Sequence, residues 1–432
     1  MVNQIKNWIY KIYTDITTSI AFFPSLMSLS FMMIAFIMLN VEDAEMTSFL
    51  VENFSYLVIN DADTARAIQS TIIGSVISLT VFSFSMVMVL LNQASSNFSP
   101  RLLPGLISDK KNQIVLGVYL GTIIYNIIVL ISIIPSGDKY TLNGFSILLG
   151  IIFGILSLGL FVFFIHSIST GIQINNILES IFQTTKSRLL KNIEEDDKDI
   201  DSLVEDDSKW QYIYSQRVGY MERANVDMLL KTSESAGVNI KVLSNKGEYI
   251  LNNMPIIGYD GKLSEEEQGD ILGAIVLSNN HNLDNNYTIG IKQITEVGVK
   301  AMSPGINDPG TALMTIDYLS ELLALRMQLP DSEIYISDNG QYKVELATIN
   351  FGELMYEVLA SYRQYCKHDV ILMKKLSSML LYLKSQSRKE SRYMKVIIEE
   401  LELLKMDYKS SIDNEIDRKK LDNLHNLRSH KS

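Results

Sequence analysis

The residues best placed to do chemistry are hydroxyls and amides strung along one stretch from Thr71 to Arg101, TIIGSVISLTVFSFSMVMVLLNQASSNFSPR. Thr71, Ser75, Ser78, Phe82, Ser85, Val89, Asn92 and Ser96 recur every third or fourth residue, so they share one helical face. Two chemistries follow. In a membrane bundle, small side chains and interhelical hydrogen bonds hold neighbours together, because lipid supplies no hydrophobic force between helices. Alternatively, the hydroxyls of Thr71, Ser75, Ser78 and Ser85 line a water-filled path and replace part of an ion's hydration. Packing is the commoner use of such a seam, and both readings stay open.

Two further polar groups stand out. The end of the stretch carries Asn92, Gln93, Asn97 and Arg101, and a second line of His166, Ser169, Gln173 and Asn176 falls on one face of a later apolar helix. At equal depth the two would form a polar inner vestibule; taken by itself, His166 reads as an interfacial histidine that meets water. The decapeptide SPGINDPGTA, from Ser303 to Ala312, has Pro304-Gly305 as a turn, Asp308 as a candidate N-cap and Pro309 at the first helical position. Turn architecture explains each of these residues. The functional alternative makes Ser303, Gly305, Asn307 and Asp308 a ligand or coupling loop at a helix N-terminus.

The elements that position these residues begin with four uncharged runs, each long enough to span a hydrocarbon core. They predict spans over about 20–40, 70–92, 113–135 and 142–166 within a membrane domain at 1–180. The first run is read as an anchor rather than a secretory signal, because no small-x-small cleavage site precedes Glu42. Lys6 and Lys11 precede span one, Arg101, Lys110 and Lys111 lie between spans two and three, and Lys186, Arg188 and Lys191 follow span four. The loop between spans one and two is acidic. Basic loops stay inside, which predicts a multi-pass protein of the cytoplasmic membrane with both termini cytoplasmic.

The net charge of −11 is concentrated in EEDDKDIDSLVEDD, Glu194 to Asp207, where nine acidic residues face one lysine. A run of like charge stays hydrated and extended, so 181–208 reads as a linker. Beyond it, 209–350 alternates extended and helical patterns, predicting a cytoplasmic α+β domain. A hairpin is expected from VNIKVLS and EYIL around NKG, a helix headed by the Ser264–Glu267 capping box and running to about Leu277, and a hairpin around Asp338, Asn339 and Gly340. Residues 351–432 read as helical, with a packed stripe of Met394, Ile397, Leu401, Leu404 and Tyr408 and a frayed tail after Asp413. The predicted fold is thus an α-helical membrane domain of four transmembrane helices plus a cytoplasmic α+β domain with a helical C-terminus.

Several classes of chemistry are disfavoured. The sequence has no P-loop, dinucleotide fingerprint, nucleophile elbow or zinc spacing, and its five histidines lack partners at ligand spacing. No catalytic residue, metal or cofactor is expected, and an enzyme acting on envelope precursors ranks last. The spans carry no Asp, Glu, Lys or Arg of the kind proton-coupled pumps and voltage sensors use. No basic stripe suits nucleic acid. The lone cysteine, Cys366, has no internal partner for a disulfide.

The motifs NQASSNFSPRLL and KAMSPGINDPGTA resemble a bacterial family of predicted membrane proteins, domain of unknown function 2254. The likeness runs from about Thr71 to beyond Lys375 and includes RVGYMERANVDMLL, GEYI and ASYRQY. It places the family motif on Phe98, Ser99, Pro100 and Arg101, and on Ser303, Pro304, Gly305, Asn307, Asp308 and Pro309. It implies a multi-span N-terminal region and a soluble C-terminal region, and brings no activity. His281, Asn282, Asn285 and Asn286 stand where the family pattern has an arginine-threonine and a glutamine-aspartate pair. The expectation is an oligomeric passive channel for ions or small solutes, gated by its cytoplasmic domain. The alternative is a non-conducting scaffold or sensor with a cytoplasmic partner or small ligand.

Overall fold

Four helices carry the apolar runs: α1 (Phe22–Val41), α2 (Ala62–Asn97), α3 (Lys110–Ser132) and α4 (Gly144–Gly171). Each is long and apolar enough to cross a membrane. The computed structural model describes residues 19, 21–42, 59, 61–97, 110–133, 135–136, 139–140, 143–171, 173–195, 210–278, 286–337, 339–387 and 392–429. The chain divides into two compact units, Met1–Ile177 and Leu178–Ser432.

In the first unit α3 is the central helix. Half of its span (50%) is covered by neighbours, against 11–22% for the other three. It can be approached closely because its facing residues are small. A Cβ on Gly121 would lie 2.6 Å from Phe31 Cγ, so glycine sets how near α1 and α3 come. Phe31, Ala35, Ala65, Val118, Tyr125, Val129 and Ile147 fill one core, and Val76, Val115, Tyr119, Phe164 and Ile168 a second. Strands β1 (Pro135–Ser136) and β2 (Lys139–Tyr140) pair antiparallel between α3 and α4. Helix α2 starts earlier than the charge-free run, because Asp61 accepts from Thr64 N at 2.8 Å and caps it.

The linker expected from residue 181 needs correction. Residues 181–195 belong to helix α5 (Ile174–Glu195), which buries Leu178, Phe182 and Leu189; only 196–208 of that segment falls outside the described residues. The charge run misled the reading because its acidic residues begin only at Glu194, after an amphipathic stretch.

The second unit carries two sheets. β3 (Gln211–Tyr214), β7 (Pro255–Tyr259), β5 (Ile240–Val242), β10 (Lys343–Ala347) and β9 (Ser332–Ile336) lie in that order, with only β5 and β10 parallel. A three-stranded sheet orders β6 (Tyr249–Ile250), β4 (Gly219–Ala224) and β8 (Ile275–Ser278). Helices α6 (Val226–Ala236) and α7 (Glu265–Ala274) pack on them, with Leu229, Ile271, Ile240, Ile257 and Val344 wholly buried. Helix α6 is capped by Asn225 and stopped by Gly237 at φ 67°, a left-handed conformation that glycine adopts without strain.

Two local expectations are corrected. VNIKVLS and EYIL do not pair: β5 joins the five-stranded sheet and β6 pairs with β4 in the other. The capping box of α7 is present, but the helix ends at Ala274 and Ile275–Ser278 becomes a strand on β4. The β9–β10 hairpin forms as expected, with Gly340 at φ 71°.

The remaining helices are α8 (Tyr287–Ala301), α9 (Pro309–Arg326), α10 (Phe351–Cys366), α11 (Val370–Gln386), α12 (Arg392–Ser411) and α13 (Glu415–Ser429). Ile397, Leu401, Leu404 and Tyr408 of the expected stripe are buried, so it packs within the chain. The tail is not frayed from Asp413: Asn414 caps α13, and Tyr408 Oη donates to Asp422 at 2.8 Å.

Arg326 fixes one corner of this unit. Wholly buried, it donates to Leu329 O at 3.0 Å, Asp331 Oδ1 at 2.7 Å and Ile349 O at 3.0 Å, while Asp331 Oδ1 also accepts from Phe351 N at 3.0 Å. Arg326→Ala takes one donor from each of these oxygens and the cation from beside Asp331, and breaking a buried pair costs about 3–5 kcal/mol. The full-length protein should melt at a clearly lower temperature; an unchanged midpoint would remove Arg326 as a structural anchor. Burial also pushes the Cys366 thiol up to about 12, so a maleimide should label it only after denaturation, and rapid labelling of the native protein would contradict its burial.

Candidate functional site

The hydroxyls of the seam on α2 lie on the exposed side of that helix among the described residues. Thr71, Ser75, Ser78, Phe82, Ser85, Val89 and Asn92 are all exposed, whereas Ala62, Ala65, Gln69, Val76 and Ser83 form the buried side. Of the seam residues Phe82 alone is shown in ring contact with another helix, edge-on to Phe161 of α4 with centroids 5.8 Å apart. Thr71 Oγ1 donates to Ala67 O at 2.7 Å and Ser78 Oγ to Gly74 O at 2.9 Å, so these hydroxyls are satisfied by their own helix. Between them lie Ile77, Val81, Phe84 and Met88, also exposed.

Of the vestibule candidates, Asn92, His166 and Gln173 are exposed, Gln93 and Asn97 lie on α2 with side chains outside the description, and Arg101 falls outside the described residues. Among the described residues no hydrogen bond joins Asn92, His166 and Gln173 to one another. Instead Thr170 Oγ1 donates to His166 O at 2.9 Å and Asn176 Nδ2 to Thr170 O at 2.7 Å, where α4 gives way to α5.

A polar layer inside the bundle was not singled out from the sequence. Glu42, just past α1, accepts from Phe145 N at 2.6 Å, Ser146 N at 3.0 Å and Ser146 Oγ at 2.6 Å, and so caps the first turn of α4. Tyr125 Oη donates to Ser146 O at 3.0 Å. Nearby, Gln69 and Asn126 are wholly buried, and Ser157 Oγ donates to Thr122 Oγ1 at 3.3 Å. The available signal was Asn126 itself, an amide interrupting the apolar run IIYNIIV.

In the second unit, α5 is fastened to α9. Phe182 stacks on Tyr318 with ring centroids 4.4 Å apart, Tyr318 Oη donates to Glu179 at 2.6 Å, and Lys186 pairs with Glu321 at 2.5 Å. The Tyr318 hydrogen bond, with help from Gln183, holds the Glu179 carboxyl below the usual carboxylate range, and the same bond pushes the Tyr318 hydroxyl up to about 12.

The decapeptide is a tight connection between α8 and α9. Ile306 N and Asn307 N both donate to Ser303 O at 3.0 Å, and Asp308 N donates to Ala301 O at 2.7 Å. Asn307 takes a left-handed conformation at φ 51°. Asp308 accepts from Thr311 N at 3.1 Å and Thr311 Oγ1 at 2.5 Å, so a carboxylate of the chain already occupies the N-terminus of α9. Ser303 is half-buried, and Gly305 and Asn307 are exposed. Asn286, one of the departures from the family pattern, caps α8 through Thr288 N at 3.0 Å and donates to Lys246 O at 2.9 Å; His281, Asn282 and Asn285 fall outside the described residues.

Four apolar helices followed by a mixed helix and sheet region with a helical C-terminus define the class as a multi-helix predicted membrane protein. The chain belongs to the family described as predicted membrane protein (DUF2254), whose profile matches residues 17–381. It is similar to an uncharacterized protein of Mycobacterium tuberculosis and to one of Mycobacterium bovis, each 22% identical over 332 residues, 73% of this chain and 61% of the relative. The chain thus spans about three fifths (61%) of the length of these curated relatives. No solved structure matches it significantly.

The Thr311 hydrogen bonds hold the Asp308 carboxyl below the ordinary aspartate value. Its capping contribution is intact above a pH of about 3.9 and is lost as the pH falls through the lower value of the folded loop. Asp308→Ala should lower stability by about 1 kcal/mol at neutral pH and flatten this acid limb, read by thermal melts across pH; an identical acid limb in the variant would show that the cap contributes nothing.

Proposed function

We propose that this protein is an integral protein of the cytoplasmic membrane, with both termini cytoplasmic, that assembles from identical copies around the α2 seam and gives ions or small solutes a passive path controlled by its α+β unit. The outward direction of Thr71, Ser75, Ser78 and Ser85 carries the reading. A polar line exposed on its own unit among the described residues is available to other copies and to water. Asn92, Gln93, Asn97, Arg101, His166 and Gln173 would then lie toward the inner mouth, and the Ser303–Asp308 turn would couple the soluble unit to it. Support for a passive path comes from the uncharged interior of the span from Ala67 to Pro100, which offers no coupling carboxylate.

One observation favours a second reading, a non-conducting scaffold or sensor with a cytoplasmic partner. Because Thr71 and Ser78 hydrogen-bond to their own helix, the seam can meet lipid or another helix without water. Single-channel recording of purified protein in planar bilayers separates the two. Discrete openings are expected, and Ser78→Leu with Ser85→Leu should abolish them while the oligomer mass in detergent stays unchanged. Silence from correctly inserted wild-type protein, or flux that survives both substitutions, would sink the pore and leave the scaffold.

A further inference from the structure

Strand β9 is an outer strand of the five-stranded sheet, and its pairing with β10 fixes which backbone groups face the open side. Ser337 N donates to Tyr342 O at 2.9 Å, and hydrogen-bonded positions alternate along an antiparallel ladder. Tyr335 and Glu333 therefore turn their backbone groups to Val344 and Leu346 on β10. Those of Ser332, Ile334 and Ile336 point outward. Lys343 N has the matching phase on β10, since it donates to Asn239 Oδ1 on the β5 side. Among the described residues, the outward groups of Ser332, Ile334 and Ile336 have no hydrogen-bond partner. Nothing in the strand blunts this edge. SEIYI has no proline or lysine, and its register with β10 runs without a shift. The opposite edge strand, β3, shifts register between Ile213 and Tyr214. On β9 the side chains of Tyr335 and Ile336 are exposed.

We propose that β9 pairs antiparallel with β9 of a second copy of this chain, about a two-fold axis through Tyr335, joining the two sheets into one. Backbone phase and charge select this register. Because the outward groups sit on alternate residues, Ile334 and Ile336 of one copy meet Ile336 and Ile334 of the other and exchange backbone hydrogen bonds. Their side chains then pair on one face of the joined sheet, and the two Tyr335 rings pair on the other. Both exposed side chains are covered, in the aromatic and β-branched pairs that adjacent strands favour. The carboxylate of Glu333 faces Ser337 of the second copy and lies about 14 Å along the strand from its own counterpart. An axis through Glu333 would set two carboxylates face to face, which is unfavourable. An axis through Ile334 would set Ile336 against Ser332 and leave it without an apolar partner. The contact belongs to the second unit and does not rest on assembly around α2.

The test is oxidative cross-linking of the full chain in liposomes. Residues directly opposite in a non-hydrogen-bonded antiparallel pair have Cα atoms about 4.5 Å apart, within reach of a disulfide, so Tyr335→Cys should give a linked dimer on a non-reducing gel. Tyr356→Cys, also exposed but on α10, should stay monomeric, and the buried Cys366 should not contribute. Ile336→Pro added to Tyr335→Cys removes only an outward N–H and leaves the β10 ladder intact, so it should cut the dimer yield about tenfold. Should that variant fail to fold, Ile336→Lys at the same exposed position should give the same loss. The dimer should survive Ser78→Leu with Ser85→Leu, so failure of the α2 reading leaves it standing. No dimer from Tyr335→Cys would overturn the pairing and give the edge to a strand of another protein. A yield unchanged by the Ile336 substitutions, or lost in the α2 variant, would overturn it equally.

Discussion

Every polar atom carried into an apolar helix bundle has to find its partner inside the chain, because hydrocarbon offers none. The first unit is arranged around that constraint. Serine and threonine hydroxyls on the outer face turn back to their own helix, as at Thr71 and Ser78, while larger polar groups gather on the inner faces of α2, α3 and α4. Tyr125, Gln69 and Asn126 each reach a backbone carbonyl there, and the small residues that let the helices close up decide where those amides fit. Helix contact and polar satisfaction are thus one problem solved by the same residues.

The second unit meets the same constraint where it is farther from water. Arg326 is wholly buried, and three oxygens collect its charge and hydrogens, one of them the carboxylate that also holds the start of α10. Removing water makes such a group expensive to leave alone and therefore specific in what it accepts. Glu400 shows the lesser form: burial raises its carboxyl above the usual range, and Arg363 at 2.7 Å draws it back. The α12 helix is held to α10 by that pair as well as by its apolar stripe.

Much of this was legible in the sequence, and the rest was not for identifiable reasons. Charge-free runs of sufficient length announced the four apolar helices, and local chemistry announced the caps at Ser264 and Asp308, since each depends on residues within a turn of one another. Strand partners were not legible. The turn at Gly247 is real, yet β5 and β6 take partners far along the chain, because pairing is settled by which faces can be buried. The seam on α2 was visible as a period, but its direction was not. Gln69 and Ser83 on the opposite face are polar too, so composition alone could not say which side turned inward. The amide layer stayed hidden because Gln69 and Asn126 lie 57 positions apart and both come up against Gly150 on a third helix.

The clasp between Glu42 and the first turn of α4 bears on how the bundle comes into being. The carboxylate and the amides it accepts from are separated by 103 and 104 positions. A ribosome therefore delivers Glu42 long before Phe145 and Ser146 exist, and these hydrogen bonds form only once α4 has been made. The tie between the first helix and the fourth thus belongs to the late contacts of the first unit, after α1 and α3 can already pack on each other.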